Sequence, residues 1–249
     1  MKVLITGGAG FVGRRFCTHY LKQDDIVECV DSLAPLTGAI HPNQWPIYKP
    51  LSGNFHFTKA DCRDFFKVNE EKYDLVIHLA AMVGGRLMIE EDPLAVADDL
   101  SIDAQFYKWC TKTRPKKIVY FSSSASYPVS LQSYENHTKL KESDITFDSD
   151  IGMPDLTYGW SKLTGEYLGK LAHSKYDLDV VSFRPFSGYG EDQDLSYPFP
   201  AICKRAIDSV INDEKSFFVW GSGQQQRDFI HIDDCVRGAT LILNKVNDG

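Results

Sequence analysis

The sequence has no long apolar run, no clustered cysteines and no excess of positive charge. Its longest apolar runs are strand-sized, which excludes a transmembrane helix of about 20 residues. The six cysteines are scattered without a CxxC pair, which indicates reduced thiols in a core and no structural metal. A net charge of −7 argues against nucleic acid or an anionic membrane as the partner. Met1 leads directly into a core-like strand, which leaves no room for a secretory signal, so we expect a cytoplasmic protein.

The chain does contain a regular alternation of short β-branched runs with longer amphipathic stretches. Such alternation produces parallel strands joined by right-handed crossovers. We therefore predict an α/β fold for residues 1–183, a Rossmann-type doubly wound parallel sheet with helices on both faces. The predicted strands are residues 2–6, 26–31, 54–59, 75–79, 117–122 and 178–183, and the predicted helices are residues 12–22, 93–113 and 158–173.

Beyond residue 183 the alternation becomes less regular. We interpret residues 184–230 as part of a smaller substrate-binding region and residues 231–249 as a segment that returns to the first domain. The last three residues have the character of a turn, from which we expect the substrate-binding region to be incomplete and the parent protein to be longer. The elements predicted here are a helix at 201–211, a strand at 217–220, a polar loop at 221–227 and a helix at 233–246.

A glycine-rich turn joins the first predicted strand to the first predicted helix. Gly7, Gly10 and Gly13 have the spacing GxxGxxG, a variant of the Rossmann fingerprint. Glycine is required because the chain must turn tightly, bring its backbone close to a pyrophosphate and pack helix on strand. The first helical residues, Phe11 and Val12, would present free N–H groups to that diphosphate. The flanking strand and helix favour a dinucleotide site over a turn that is glycine-rich for packing alone.

A carboxylate ends the second predicted strand. Asp31 would accept hydrogen bonds from the adenosine ribose hydroxyls and would repel a 2′-phosphate. Arg14 and Arg15 weaken this preference slightly, because either side chain could reach such a phosphate. We therefore predict NAD as the cofactor in preference to NADP.

Tyr158 and Lys162 open the third predicted helix. Positions i and i+4 share one helical face, so the phenol and the ammonium project to the same side. A nearby cation favours the ionised phenol, and such a pair can take a hydroxyl proton while a hydride leaves the adjacent carbon. The pattern YxxxK is common by chance, but here it follows a predicted strand that ends at Ser122, Ser123 and Ser124.

Taken together, the motifs resemble those of the extended short-chain dehydrogenase/reductase family, and specifically its nucleotide-sugar epimerase/dehydratase group. The resemblance runs along the whole chain. It rests on TGGAGFVG at 6–13, HLAA at 78–81, FSSSASYP at 121–128, YGWSK at 158–162, RPFSGYG at 184–190 and RDFIHIDD at 227–234.

This resemblance implies roles for individual residues. Ser124 should hydrogen-bond the reacting sugar hydroxyl, Tyr158 should be the acid/base, and Lys162 should bind the nicotinamide ribose. Arg227 should contact the substrate diphosphate, because its planar fork suits phosphate oxygens. The implied substrate residues are Ser124, Ser126, Ser187 and Arg227, and the implied cofactor residues are Gly7, Gly10, Phe11, Val12, Gly13, Asp31, Ser32, Asp61, Cys62, Leu79, Ala80, Ala81, Ser122, Tyr158, Lys162, Arg184 and Pro185.

Departures from the family patterns narrow the expected reaction. Sugar 4,6-dehydratases resemble one another in an Asp-Glu pair just after the catalytic Ser or Thr, where this chain has Ala125 and Ser126, so a dehydratase is disfavoured. Residues 80–86 and 126–128 resemble GDP-mannose 3,5-epimerase and GDP-fucose synthase. Those enzymes have a Cys near Ser126 and a later Lys or His, whereas residues 190–199 contain neither Lys nor His.

The remaining chemistry needs only the cofactor, Ser124, Tyr158 and Lys162. It is similar to that of UDP-galactose 4-epimerase, which proceeds through a transient 4-keto sugar. Two alternatives stay open: a GDP-sugar 3,5-epimerase or 4-keto-sugar reductase, and a non-catalytic dinucleotide-binding sensor, which would not need all three residues. In relatives the apolar faces of residues 96–109 and 158–173 pair between subunits, so the resemblance also implies a homodimer.

Overall fold

The computed structural model describes residues 1–35, 37–46, 53–82, 86–132 and 138–245. The predicted turn at Asn247, Asp248 and Gly249 lies outside the described residues, as does the last residue of the predicted helix 233–246. Val83, Gly84 and Gly85, part of the segment that resembles the GDP-sugar enzymes, lie outside them as well.

A six-stranded parallel sheet forms the centre of the first part of the chain, in the order β3-β2-β1-β4-β5-β6. The order reverses between β1 and β4, which is the topological switch point of a doubly wound fold. The predicted fold class is confirmed, and each of the six strands predicted within residues 1–183 matches an observed one to within two residues. The strands are β1 (Lys2–Thr6), β2 (Ile26–Asp31), β3 (Phe55–Lys59), β4 (Leu75–His78), β5 (Lys117–Phe121) and β6 (Val180–Phe183).

Eight α-helices lie in the described residues: α1 (Phe11–Leu21), α2 (Cys62–Val68), α3 (Arg86–Glu91), α4 (Pro93–Val96), α5 (Asp98–Thr113), α6 (Leu156–Tyr176), α7 (Pro198–Ile211) and α8 (Ile232–Lys245). The single helix predicted at 93–113 is in fact two, because hydrogen bonds of the i→i−3 type on both sides of Ala97 tighten the chain there.

Alternate residues of the central strands enter two hydrophobic clusters, one on each face of the sheet. On one face Val3 and Ile5 pack with Phe16 of α1. On the other face Leu4 packs with Phe106 of α5. Because helices cover both faces, the central strands are continuous apolar runs, and every residue of β4 and β5 is buried.

The later part of the chain contains a second, two-stranded parallel sheet, formed by β7 (Ser187–Tyr189) and β8 (Phe229–His231). Helix α8 then returns to the first part, where Val236 and Leu243 join the same cluster as Phe16. The predicted strand at 217–220 is wrong, because these residues form no strand and are exposed. A strand needs a partner edge for its backbone groups, and no described strand pairs with this segment.

Within the described residues, no helix combines the length and the apolar character needed to cross a membrane. The same residues contain no group of three or more His, Cys, Asp or Glu side chains placed to hold a metal ion. All six cysteines are free thiols, and four of them, Cys17, Cys29, Cys62 and Cys110, are buried.

Candidate active site

A cavity of about 690 Å³ opens at the carboxyl ends of the parallel strands. Ligands of doubly wound sheets bind at this edge, where the strand order reverses. The cavity brings together predicted site residues that are far apart in the sequence. Two residues of the predicted set, Arg184 and Ser126, do not line it. Those that do are Gly7, Gly10, Phe11, Val12, Gly13, Asp31, Ser32, Asp61, Cys62, Leu79, Ala80, Ala81, Ser122, Ser124, Tyr158, Lys162, Pro185, Ser187 and Arg227.

The glycine turn is packed tightly enough to exclude side chains. Gly7 has a φ of +69°, and a Cβ on it would lie 2.7 Å from the backbone nitrogen of Ala80. A Cβ on Gly13 would lie 2.4 Å from the carbonyl oxygen of Gly7. Gly10 precedes α1 and offers no side-chain cap, so the first N–H groups of the helix are left for a ligand at the cavity wall. This cradle fits the diphosphate of a dinucleotide.

Asp31 holds the loops around the adenosine end of the cavity. Its Oδ2 accepts a hydrogen bond from the Ala9 N–H at 3.0 Å and its Oδ1 accepts one from the Leu33 N–H at 2.8 Å. Burial raises the pKa of Asp31, although these two N–H groups oppose the shift. A carboxylate has about four acceptor positions. Asp31 therefore retains acceptor capacity for ribose hydroxyls, as expected for a dinucleotide site.

Arg14 and Arg15 of α1 are both bound to Asp192. Arg14 Nη2 lies 3.2 Å from Asp192 Oδ2, and Arg15 Nη2 donates to Asp192 Oδ1 at 3.0 Å. Arg14 Nη1 also donates to the carbonyl oxygen of Ala9 at 2.9 Å. Burial lowers the pKa of Arg14, and Asp192 opposes this shift. The two guanidinium groups thus connect the cofactor end of the cavity to the segment that follows β7.

Asp61 and Cys62 form the neighbouring wall. Asp61 caps α2 by accepting the Arg63 N–H, and its carboxylate pairs with the Arg63 guanidinium at 2.7 Å. This pairing lowers the pKa of Asp61. Burial raises the pKa of the Cys62 thiol to about 12, so this side of the cavity carries a neutral, unreactive sulfur.

Tyr158 and Lys162 lie on one face of α6 and both line the cavity. Lys162 Nζ is 5.8 Å from the centre of the Tyr158 ring and 5.5 Å from the centre of the Tyr120 ring. Burial disfavours the charge, but the interactions with Tyr158, Asp103 and Asp99 outweigh it and raise the pKa of Lys162. The buried ammonium therefore stays protonated at neutral pH.

Gly159, between these two residues, was missed by the sequence analysis. A Cβ at this position would lie 2.4 Å from the carbonyl oxygen of Ala125. Only glycine lets the first turn of α6 approach the serine turn so closely. The signal was present in the motif YGWSK, but its meaning depends on a contact between distant segments.

The serine turn begins at the end of β5. Ser124 N–H donates to the Pro185 carbonyl oxygen at 3.1 Å, which fixes the turn beside the end of β6. Ser126 is fully buried, and its hydroxyl lies 2.9 Å from that of Ser122. This hydroxyl is therefore engaged inside the protein and does not line the cavity, and the substrate contact of Ser126 stays a prediction.

Arg184 is also bound inside the protein. Its Nη2 donates to Glu166 Oε2 at 2.6 Å, and its Nε donates to Glu166 Oε1 at 2.9 Å. Burial opposes the charge, but Glu166 outweighs it and raises the pKa of Arg184. The side chain connects the end of β6 to α6 and does not line the cavity, and its cofactor contact stays a prediction.

At the substrate end, Ser187 and the exposed Arg227 line the cavity as predicted. The sequence analysis missed Gln193 and Tyr197, which lie in the segment it had searched only for Lys and His. Burial together with the nearby Tyr158 and Asp194 raises the pKa of Tyr197, which places its phenol close to the proposed acid/base.

Comparison with known proteins agrees with this arrangement. The family model described as NAD dependent epimerase/dehydratase family matches residues 3–249. A UDP-glucuronate 4-epimerase of Thermodesulfobacterium geofontis is 31% identical over 96% of this chain and 71% of that protein.

Two solved structures are similar in sequence and in fold. The UDP-N-acetylglucosamine 4-epimerase of Methanobrevibacter ruminantium, in complex with UDP-N-acetylmuramic acid, is 28% identical with a TM-score of 0.74, over 96% of this chain and 72% of that one. The UDP-glucuronic acid 4-epimerase of Bacillus cereus, in complex with UDP-glucuronic acid and NAD, is 27% identical with a TM-score of 0.73, over 98% of this chain and 73% of that one. These matches confirm the resemblance to nucleotide-sugar epimerases. The chain belongs to the NAD dependent epimerase/dehydratase family.

Proposed function

We propose that this protein is an NAD-dependent epimerase that inverts C4 of a UDP-sugar through a transient 4-keto sugar. The observation that carries the proposal is the single cavity in which Ser124, Tyr158 and Lys162 face the glycine turn. The 4-epimerase activity named for the three relatives supports it and suggests uridine as the nucleoside.

The cofactor end of the cavity fits NAD. The turn from Gly7 to Gly13 and the start of α1 would hold its diphosphate, and Asp31 would hold its adenosine ribose. The buried carboxylate of Asp31 would repel a 2′-phosphate, and Arg14 and Arg15 are bound to Asp192. We therefore expect NAD to bind more tightly than NADP, which a titration of both nucleotides by calorimetry would measure.

NAD, when bound, supplies the oxidising and reducing equivalents at C4. Tyr158, whose ring centre lies 5.8 Å from the Lys162 ammonium, accepts the proton of the sugar 4-hydroxyl. Ser124 hydrogen-bonds the same oxygen. After the 4-keto sugar has turned over, Tyr158 returns the proton to the 4-oxygen, so the residues end in their starting state.

Arg227 and Ser187 would hold the substrate while its sugar turns. The guanidinium of Arg227 suits the diphosphate, which is the one part of the substrate that does not have to move. An elimination of water would need a further acid and base beside Ser124, where the chain has Ala125 and the buried Ser126. This residue choice favours epimerisation over dehydration.

The test is incubation of the protein and NAD with UDP-glucose, UDP-glucuronate and UDP-N-acetylglucosamine, followed by chromatography of the sugar nucleotides. We expect one of these substrates to be converted to its C4 epimer. A 4-keto-6-deoxy product from dTDP-glucose, or solvent deuterium at C3 or C5 of GDP-mannose, would instead identify a dehydratase or a 3,5-epimerase. Absence of turnover together with tight NAD binding would favour the sensor.

Tyr158→Phe is the matched variant for this assay. Loss of the proton carrier should lower kcat about 10³-fold, within the range for general acid–base catalysis, while NAD binding is kept. Tyr167→Phe is the control, because Tyr167 lies on the same helix, does not line the cavity and packs its half-exposed ring against Phe147. Full activity of Tyr158→Phe would contradict the proposal.

We also propose a homodimer in the cytoplasm. The support is a set of half-exposed apolar side chains on the segments expected to pair, Leu100 of α5, and Trp160 and Tyr167 of α6. Light scattering should give twice the chain mass, and Trp160→Glu should reduce it to one chain mass.

A further inference from the structure

Asp99 and Asp103 lie one turn apart on α5 and are each only 1% exposed. Neither residue lines the cavity. Buried carboxylates are costly unless they are paired or hydrogen-bonded, so two on one face of a helix require a partner of opposite charge. Lys162 of α6 is the buried cation that interacts electrostatically with both of them.

The packing of α5 on α6 shows where this cation lies along the helix. A Cβ on Gly165 would lie 2.5 Å from Asp103 Oδ2, and a Cβ on Gly169 would lie 2.8 Å from the Tyr107 hydroxyl. The step from Asp103 to Tyr107 on α5 and the step from Gly165 to Gly169 on α6 are both four residues. The two helices therefore run side by side in the same direction. One turn earlier in this register, Asp99 is level with Ser161 and Lys162.

Asp103 is anchored by neutral donors. The Tyr120 hydroxyl donates to its Oδ2 at 2.6 Å, and His78 Nε2 lies 3.2 Å from its Oδ1. On its other side, His78 Nδ1 lies 2.7 Å from Thr6 Oγ1. Burial lowers the pKa of His78, which keeps the imidazole uncharged. The ring of Tyr120 thus stands between Asp103 and the ammonium of Lys162, which lies 5.5 Å from its centre.

Asp99 is less completely bonded than Asp103. Its Oδ1 accepts the Met82 N–H at 2.5 Å, and its Oδ2 is buried with no hydrogen-bond partner in the described part of the chain. A buried carboxylate oxygen in this condition depends on the field of a nearby cation. Lys162 is the largest of the influences that oppose the effect of burial on the pKa of Asp99.

We propose that Asp99 and Asp103 are positioning residues that keep the Lys162 ammonium protonated and hold it between Tyr120 and Tyr158. This inference rests on the proposed function, because it gives Asp99 and Asp103 a part in proton transfer through Lys162. The groups that face Lys162 are Tyr158 from α6, Tyr120 from β5, His78 from β4, and Asp99 and Asp103 from α5. With the two carboxylates in place, the Lys162 ammonium keeps its proton although it is buried.

Asp99→Asn separates this role from a structural one. The asparagine side chain has nearly the same shape and its oxygen can still accept the Met82 N–H, so the variant removes mainly the charge. Tyr107→Phe is the control, because it removes a buried hydroxyl without a hydrogen-bond partner in the described residues, about two turns further along the same helix. A purely structural effect would appear in both variants.

The readout is the titration of Lys162 in cofactor-free protein with ¹³C-labelled lysine, followed by NMR and assigned with Lys162→Arg. We expect the midpoint to fall by about 1 pH unit or more in Asp99→Asn, since a buried opposite charge shifts a pKa by 1–3 units. Tyr107→Phe should leave the midpoint unchanged. A shift below about 0.3 unit in Asp99→Asn, or an equal shift in the control, would overturn the inference.

A second titration tests the same inference if the Asp99→Asn variant folds poorly. In Lys162→Met the cation is gone, so the carboxyl of Asp99 should titrate at higher pH than in the original protein, and an unchanged midpoint would also overturn the inference. Both titrations are independent of turnover. An inactive protein in which Asp99→Asn still lowers the Lys162 midpoint would contradict the proposed function and leave the charge coupling intact.

In the active enzyme, the alkaline limb of the kcat profile should move to lower pH in Asp99→Asn and stay in place in Tyr107→Phe. This limb reports the loss of the lysine charge, which a general loosening of the fold would not shift.

Discussion

Every residue of β4 and β5 is buried, whereas every residue from 211 to 229 is exposed. The serine turn follows β5, and Tyr158 and Lys162 stand on a helix packed against α5 and β6, so the buried part of the fold sets their positions. Arg227, proposed to hold the substrate, lies in the exposed segment. The contrast indicates that the proton-transfer groups are preorganised, while the substrate contact depends on chain that makes few internal contacts of its own.

The largest difference in stability is expected between the replacement of a glycine that has close backbone neighbours and the replacement of one that has none. Gly13→Ala should lower the free energy of unfolding by about 4 kcal/mol and abolish NAD binding, because its Cβ would meet backbone atoms at 2.4 Å. Gly238→Ala in α8 has no atom within 4 Å of the new Cβ and should raise stability by about 0.5–1 kcal/mol. Urea unfolding measures both variants. Equal effects of the two substitutions on the free energy of unfolding would contradict this prediction.

Ion pairs should show a similar difference. Arg184→Ala leaves the buried Glu166 carboxylate unpaired and should cost about 3 kcal/mol. The exposed pair of Lys204 and Asp208 in α7, at 2.7 Å, should be worth less than about 0.5 kcal/mol. Thermal or urea unfolding of Arg184→Ala and Lys204→Ala tests this. A Lys204→Ala variant as unstable as Arg184→Ala would contradict it.

The buried region should also give a pH-dependent effect. Burial raises the pKa of Asp99 from its ordinary value of 3.8 to about 6, so the charged form is less favourable in the folded state than in the unfolded one. The original protein therefore loses stability as the pH rises between these values, and Asp99→Asn does not. We expect the stability of the original protein relative to Asp99→Asn to fall by about 2 kcal/mol between pH 4 and pH 8. Urea unfolding of both proteins at these two pH values measures the change, and a relative stability that rises with pH would contradict it.

The smallest effect is expected for a substitution in the exposed segment, residues 211–229. Arg227→Ala should raise KM for the sugar nucleotide about 10-fold, equivalent to about 1.4 kcal/mol, with kcat, NAD binding and stability nearly unchanged. Arg237→Ala is the control, because Arg237 is exposed and paired with Asp234. A loss of stability in Arg227→Ala would show that the exposed segment is more tightly packed than the contrast assumes.

Prediction from the sequence was most successful where the pattern is local. The six strands of the main sheet follow from apolar runs, and the glycine turn and the pair Tyr158 and Lys162 follow from spacing on one strand–helix junction and on one helix. Helix α2 was missed although Asp61 is a typical N-cap residue, followed by Asp64 in the first turn. This signal was present and was not used.

The features that the sequence did not reveal depend on contacts between distant segments. Phe217 to Trp220 have the composition of a strand but no edge to pair with. Ser126 and Arg184 belong to motifs with functional neighbours, yet Ser122 and Glu166 bind them inside the protein. The pairing of Asp192 with Arg14 and Arg15 joins residues more than 170 positions apart, and no local pattern indicates it.

The pairing of β7 with β8 has a consequence for the order of assembly. Ser187 can pair with Phe229 only after Phe229 has been synthesised. The pairing of the two strands then closes a loop that spans residues 190–228. Closing a loop of this length carries an entropic cost that is repaid only after the distant strand has arrived, which slows such contacts relative to local ones. On the ribosome, the six-stranded sheet can therefore condense before the second sheet exists. Interruption of synthesis before residue 227 would yield a chain with its proton-transfer helix formed and without Arg227, the proposed contact to the substrate diphosphate.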